Sequence, residues 1–167
     1  MFTPSDISVD GYRLAVGLML INADNKVFVG KRVDLARLST NKADGWQMPQ
    51  GGIDIGETPL QATFRELKEE VGSDKADLIA ESQYWYDYRL PEDLGSKLWG
   101  GRFHSIRQRW FLLRFTGEDR DIQLDAYAYP EFSDWKWVPM DHLVGLIVDF
   151  KKKVYEQVTK EFKEYLV

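Results

Sequence analysis

Three glutamates, Glu66, Glu69 and Glu70, stand at positions i, i+3 and i+4, a spacing that gathers them on one side of a helix. Like charges so placed cost about 0.2–0.5 kcal/mol per pair in an isolated helix, and the negative end of the macrodipole adds to the cost. Two readings follow from the residues alone. The cluster is either a solvated acidic face, partly relieved by Arg65 and Lys68, or a set of carboxylates held for a dication whose charge reverses the local electrostatics. The chain has no cysteine and two histidines, His104 and His142, far apart in sequence. Disulfides, thiolate zinc sites and cysteine nucleophiles are thereby excluded, and any metal here is expected to be hard and oxygen-liganded. Neither a GxxxxGK[ST] loop nor a GxGxxG fingerprint is present, so P-loop and dinucleotide-cofactor chemistry lose support.

The element carrying the glutamates has clear ends. Thr58 can cap a helix that starts with Pro59, Gln61 completes a capping box, and Gly72 follows the last periodic apolar residue. Leu60, Phe64, Leu67 and Val71 form an apolar stripe expected to face the core. Residues 13–21 and 27–31 read as strands joined by the turn-rich 22–26, a hairpin signal, and 33–45 as a polar loop. Further strands are expected at 78–88, 106–115 and 134–138, a loop at 90–104, and a final helix over about 150–165 with Val154, Val158, Phe162 and Tyr165 inward. Non-sequential strands with two or three helices suggest a mixed sheet covered on its faces.

Composition limits the partners. With 167 residues, 44% of them hydrophobic, the chain is expected to be one domain, 1–167, with a substantial core. The longest apolar run, 14–21, falls well short of the roughly 20 residues a membrane helix needs. No leader pattern opens the chain, and a cytoplasmic location is expected. A net charge of −5 argues against binding extended nucleic acid but not against a small phosphate-rich ligand bound through metal. The sequence carries no signal for oligomeric state.

The segment Gly51, Glu57, Arg65-Glu66-Leu67-Lys68-Glu69-Glu70-Val71-Gly72 resembles the Nudix box, GX5EX7REUXEEXGU, at all seven fixed positions. Taking each at about a 7% frequency, chance agreement is on the order of 10⁻⁸ per window. The last aliphatic position is Ser73, a departure that bears on helix-end packing. The resemblance implies an α/β (α+β) fold, an α/β/α sandwich with a mixed sheet between helices, and Mg²⁺-dependent cleavage of a phosphoanhydride, with Mn²⁺ able to substitute. It implies that Glu66, Glu69 and Glu70 bind metal, one of them serving as base through a water. It also implies that Arg65 orients a carboxylate with Glu57 as partner, and that Gly51 and Gly52 let backbone approach metal and phosphate.

Beyond the box, Gly11-Tyr12-Arg13, Trp46-Gln47-Met48-Pro49-Gln50, Arg107-Gln108-Arg109-Trp110-Phe111, Pro130-Glu131-Phe132, Trp135-Lys136-Trp137 and Phe150-Lys151 are similar in order and spacing to the bacterial RNA pyrophosphohydrolase and dinucleoside polyphosphate hydrolase branch. Ser105-Ile106 departs from its usual Gly-Gln. By matching, Arg13, Arg32, Arg109 and Lys151 are candidate phosphate contacts and Phe150 a base-stacking surface, the alternatives being surface charges and a core ring. Tyr84, Trp85, Tyr86 and Tyr88 read as strand aromatics, for packing more than for a base pocket. Pro130 restricts the chain before it to an extended approach, and the resemblance makes Glu131 a further metal-side carboxylate from outside the box. The substrate implied is the 5′-triphosphate end of RNA. The alternatives are a dinucleoside polyphosphate such as Ap4A, cleaved to ATP and AMP, and a non-catalytic binding module, which would typically have lost box carboxylates.

Overall fold

The computed structural model describes residues 8–9, 11–33, 45–95, 98–127 and 129–166. Its centre is strand β2 (Tyr12–Ile21), which runs between β1 (Ser8–Val9) and β3 (Val27–Arg32) in sequence. Leu14, Val16, Leu18 and Leu20 point to one face of the sheet, and Ala15, Met19 and Ile21 to the other. Both faces are covered, which is why this strand reads as a continuous apolar run and not as an alternation.

Eight strands form one mixed sheet among the described residues: β1 to β3, β4 (Trp46–Gln47), β5 (Gln50–Gly52), β6 (Ala76–Arg89), β7 (Ser105–Phe115) and β8 (Phe132–Val138). Its main path runs β4-β3-β2-β7-β6, with β1 and β5 also on β2 and β8 on β3. β2 and β7 are parallel over the length of β2, from Tyr12↔Ser105 to Ile21↔Arg114. A parallel pair needs a crossover, and the chain between them passes through α1 (Pro59–Val71) and β6. α1 covers the Leu18 face, and α4 (Lys152–Lys163) covers the Met19 face through Val154, Tyr155, Val158 and Phe162. Among the described residues, α2 (Glu92–Gly95) and α3 (Leu143–Leu146) are the further short helices. No helix among the described residues is long and apolar enough to cross a membrane.

The expected elements are present with informative differences. The 22–26 turn forms, with Asn22 Oδ1 accepting from the amides of Asp24 (2.9 Å) and Lys26 (3.0 Å). Yet β2 and β3 pair only at Ile21↔Val27 before diverging, because the rest of that β2 edge is taken by β5 and β1. The expected loop 90–104 contains α2 and a 3₁₀ turn at Leu98–Gly101. The last helix begins at Lys152 after a 3₁₀ turn, and Tyr165 lies beyond its end, exposed. Leu60 is also exposed. The buried side of α1 is rotated from the expected stripe toward Ala62, Thr63, Glu66, Leu67, Glu70 and Val71. Of the expected loop 33–45, residues 34–44 lie outside the described residues.

Candidate active site

Local signals fix α1 at both ends. Thr58 Oγ1 accepts from the Gln61 amide (3.1 Å) while Gln61 Oε1 accepts from the Thr58 amide (2.9 Å), and Gly72 closes the helix at φ 83°. Ser73 is buried and accepts a hydrogen bond from the Lys75 amide, so the hydroxyl serves the turn into β6 where an aliphatic residue was expected. With its ends pinned, the helix buries Glu66 and Glu70 and leaves Glu69 exposed.

Arg65 organises the helix start. Its guanidinium grips Glu57 with two bonds (2.6 and 3.0 Å), donates to the Gly52 carbonyl (2.8 Å), and reaches Glu66 (2.8 Å) and Glu69 (3.3 Å). Glu57 also accepts from the Asp54 amide (2.9 Å). Burial works against the Glu57 charge, but the bonds from Arg65 and Asp54 outweigh it and hold the carboxyl below its ordinary range. The Arg65 charge is correspondingly reinforced, first by Glu57.

Strand β5 lies against the helix with no room to spare. A methyl group on Gly51 would fall 2.1 Å from the Glu66 carboxyl carbon, and one on Gly52 would fall 2.0 Å from an Arg13 guanidinium nitrogen. These glycines let the backbone meet two charged side chains at contact distance. Burial, first, and the nearby Glu69 push the Glu66 carboxyl up, against the pull of Arg65. Glu70 is pushed well above its ordinary value by burial, by the Glu66 and Glu131 charges and by its hydrogen bond with Glu66. Its Oε2 is buried without a hydrogen-bond partner.

That orphaned oxygen, in an all-oxygen donor set, suits a hard cation. Among the described residues the acidic side chains are not already drawn together as a metal cluster, since Arg65 holds Glu66 and Glu69 toward itself. Glu66, Glu69, Glu70 and Glu131 nevertheless line one open groove of about 370 Å³, together with Tyr127 and Tyr129. Glu131 enters it from the loop before β8, its backbone bonded to Val33 and its carboxylate 3.3 Å from Arg32.

Arg32 joins this groove to a second pocket lined by Trp46, Gln47, Val148, Phe150 and Lys151. Phe150 is half-buried, 5.8 Å from the Tyr88 ring, so it is both packed and presented. Lys151 is buried and donates to Gln47 Oε1 (3.2 Å) and Gln50 Oε1 (3.3 Å). A lysine has no acceptor, so it fixes the Gln47 amide with its nitrogen turned away, and that Nε2 is buried without a partner. Gln50 in turn donates to Tyr88 (3.1 Å) and accepts from Gln108 (3.2 Å), which accepts from Trp110 Nε1 (3.1 Å). Arg13 stands on this side, its pKa lowered by burial against the opposing effect of Glu66 and other neighbours.

Of the expected substrate contacts, Arg13, Arg32, Phe150 and Lys151 are thus brought to the site. Arg109 lines neither the groove nor the pocket. It bonds Glu81 (2.9 Å) and lies over Trp85, which packs on the α1 face of the sheet. The glutamine chain was missed by sequence reasoning. Its signal was Gln108, a polar residue in phase with Ile106, Trp110 and Leu112 on the inner face of β7.

The NUDIX domain family matches residues 11–158. RNA pyrophosphohydrolases of Rickettsia peacockii (strain Rustic) and Rickettsia bellii (strain OSU 85-389) are each 50% identical over 155 residues, covering 93% of this chain and 92% of each relative. Among solved structures, the E. coli dihydroneopterin triphosphate pyrophosphohydrolase aligns with a TM-score of 0.66 at 24% identity, over 89% of this chain and 95% of that one. A C. elegans Ap4A hydrolase aligns at 0.60 and 19%, over 91% and 97%. At such identities these two speak for the fold alone.

Proposed function

We propose, from the premise that this chain belongs to the NUDIX family, that it hydrolyses a phosphoanhydride bond at the 5′-triphosphate end of RNA, as the name of its 50% identical relatives suggests. The observation that carries the reading is the buried Glu66–Glu70 pair, with an orphaned carboxylate oxygen, set beside Arg13 and Arg32. Members of this family generally need a divalent metal. Here Mg²⁺, replaceable by Mn²⁺, would be held by Glu66, Glu69, Glu70 and Glu131 with the Gly51 backbone. Bound there, it supplies neutralisation of the phosphate oxygens and a polarised water.

The protein's own groups do the rest. Arg65, gripped by Glu57, holds Glu66 and the Gly52 carbonyl in place, which makes both members of the pair positioning residues. A box glutamate takes the proton from the attacking water. Arg13, Arg32 and Lys151 offset phosphate charge, Phe150 stacks a base, and Gln47 Nε2 offers that base a donor. Engagement of only the first nucleotides is compatible with a net charge of −5. The same reading takes 1–167 as one domain of a cytoplasmic enzyme. Purified protein is to be offered triphosphorylated RNA, Ap4A and ordinary NTPs in competition, with products resolved. Preferential release of pyrophosphate or phosphate from RNA is expected; preference for Ap4A or free NTPs would overturn the assignment.

A further inference from the structure

The groove and the pocket share no lining residue: one holds the four glutamates with Tyr127 and Tyr129, the other holds Arg32, Lys151 and Phe150. The two linings are unlike. One is cationic and already equipped to hold phosphate and a base. The other has no basic side chain among the described residues that line it, and its walls are two tyrosines.

These tyrosines are unusually open. Tyr129 is 93% exposed and Tyr127 43%, whereas most large apolar side chains here are buried. Both belong to the segment that ends in Glu131, whose backbone bond to Val33 and ion pair with Arg32 tie that segment to β3. Tyr129 is followed by Pro130, which biases it toward extended backbone and restricts its approach to the groove. With the carboxylates taken up by metal, the two rings are the remaining side chains of this lining among the described residues, so a group that reaches past the metal gains its affinity from the ring faces. An uncharged planar group joined to a polyphosphate meets that demand.

Resting on the assignment of the carboxylates to phosphoanhydride cleavage, we infer that Tyr127 and Tyr129 form a second nucleobase platform beside the metal-side carboxylates, separate from the Phe150 pocket. The platform stacks a base carried at the distal end of a polyphosphate, so a substrate with a nucleoside at each end is held at both. A substrate with one base engages the Phe150 flank alone. Stacking is sequence-tolerant, since every base has a π-face, and the ring is what matters, not the hydroxyl.

The test compares Ap4A with adenosine 5′-tetraphosphate, which has the same number of phosphates, one nucleoside fewer and a free terminal phosphate, a difference in charge that the variants below leave constant. Whether each is cleaved or only competes, its KM or Ki is measured in Mg²⁺ for the wild type, for Tyr127→Ala/Tyr129→Ala and for Tyr127→Phe/Tyr129→Phe. The wild type should favour Ap4A by about 5- to 150-fold, the range that stacking of one base supports. The double alanine variant should bring the ratio to about one, and the double phenylalanine variant should retain it. A ratio of one in the wild type, or a preference that survives both alanines, overturns the platform. So does an equal loss for both ligands, which would assign the tyrosines to the phosphates or to the fold. Failure of the wild type on triphosphorylated RNA, with this pattern intact, would refute the RNA assignment and leave the platform standing.

Discussion

Gly51→Ala is the sharpest perturbation of the proposed centre, because it adds one carbon and no charge. The new methyl would sit 2.1 Å from the Glu66 carboxyl carbon, where ordinary contact begins at 3.4 Å, so about 1.3 Å must be recovered. The strand cannot readily supply it. β5 is paired with β2 at Gly17↔Gln50, Val16↔Gly51 and Ala15↔Gly52, and flanking bonds from Leu18 to the Pro49 carbonyl and from Ile53 to the Leu14 carbonyl hold both ends. The Glu66 carboxylate is the part that can swing, at an off-rotamer cost of about 0.5–1.5 kcal/mol. Stability should therefore fall little, with Tm lowered by a few degrees at most for a domain of this size, about 2–4 °C per kcal/mol. Catalysis should suffer far more, since misplacement by about 1 Å can cost on the order of 10²-fold in rate. The assay is kcat and KM on triphosphorylated RNA across a Mg²⁺ titration, with Tm recorded in EDTA. A kcat within threefold of wild type at saturating metal would refute the role given to Glu66 and the reason given for the glycine.

Glu70→Gln should lower kcat by orders of magnitude while raising Tm in EDTA. Because the folded-state pKa of Glu70 is raised, mainly by burial, the metal-free protein keeps a proton that the unfolded chain releases near 4.5, so wild-type stability should fall as pH climbs through that window. The variant should flatten this slope; equal slopes in thermal melts would contradict the burial argument. Glu131→Gln should cut kcat with a modest change in KM, and unchanged kinetics and Mg²⁺ dependence would leave Glu131 a partner of Arg32 alone. Phe150→Ala should raise KM for triphosphorylated RNA about tenfold. It should also lose some stability through its Tyr88 and core contacts, and collapse of the fold would make the ring a core residue instead.

The helix that bears the glutamates was readable because its instructions are local: a capping box, a proline at the first position and a terminal glycine act within a few residues. Its burial was less readable. Leu60 was expected in the core stripe and is exposed, while Glu66 and Glu70, placed on a separate acidic face, are buried. The helix docks where β5 passes, and only three-dimensional packing reveals that Gly51 makes space for a carboxylate. The β2–β3 turn was legible through Asn22, but not the divergence after it, which competition for the β2 edge decides. For Arg109 the sequence gives a position and not a partner. Strand alternation sends it to the face opposite Gln108 and Trp110, where it meets Glu81, and the sequence says nothing of that pairing.

The position of β2 has a consequence for how the molecule breathes. Hydrogen-bonded by β7 along one edge and by β1, β5 and β3 along the other, with an apolar layer on each face, β2 has no edge from which to fray. Its amides should exchange with solvent deuterium only when the whole domain opens, whereas the outer edge of β6 and the segment leading to Glu131 should exchange by small local openings. The support of Gly51, held through Val16, thus belongs to the slowest-exchanging part of the protein, and the loop carrying Glu131 to a faster one.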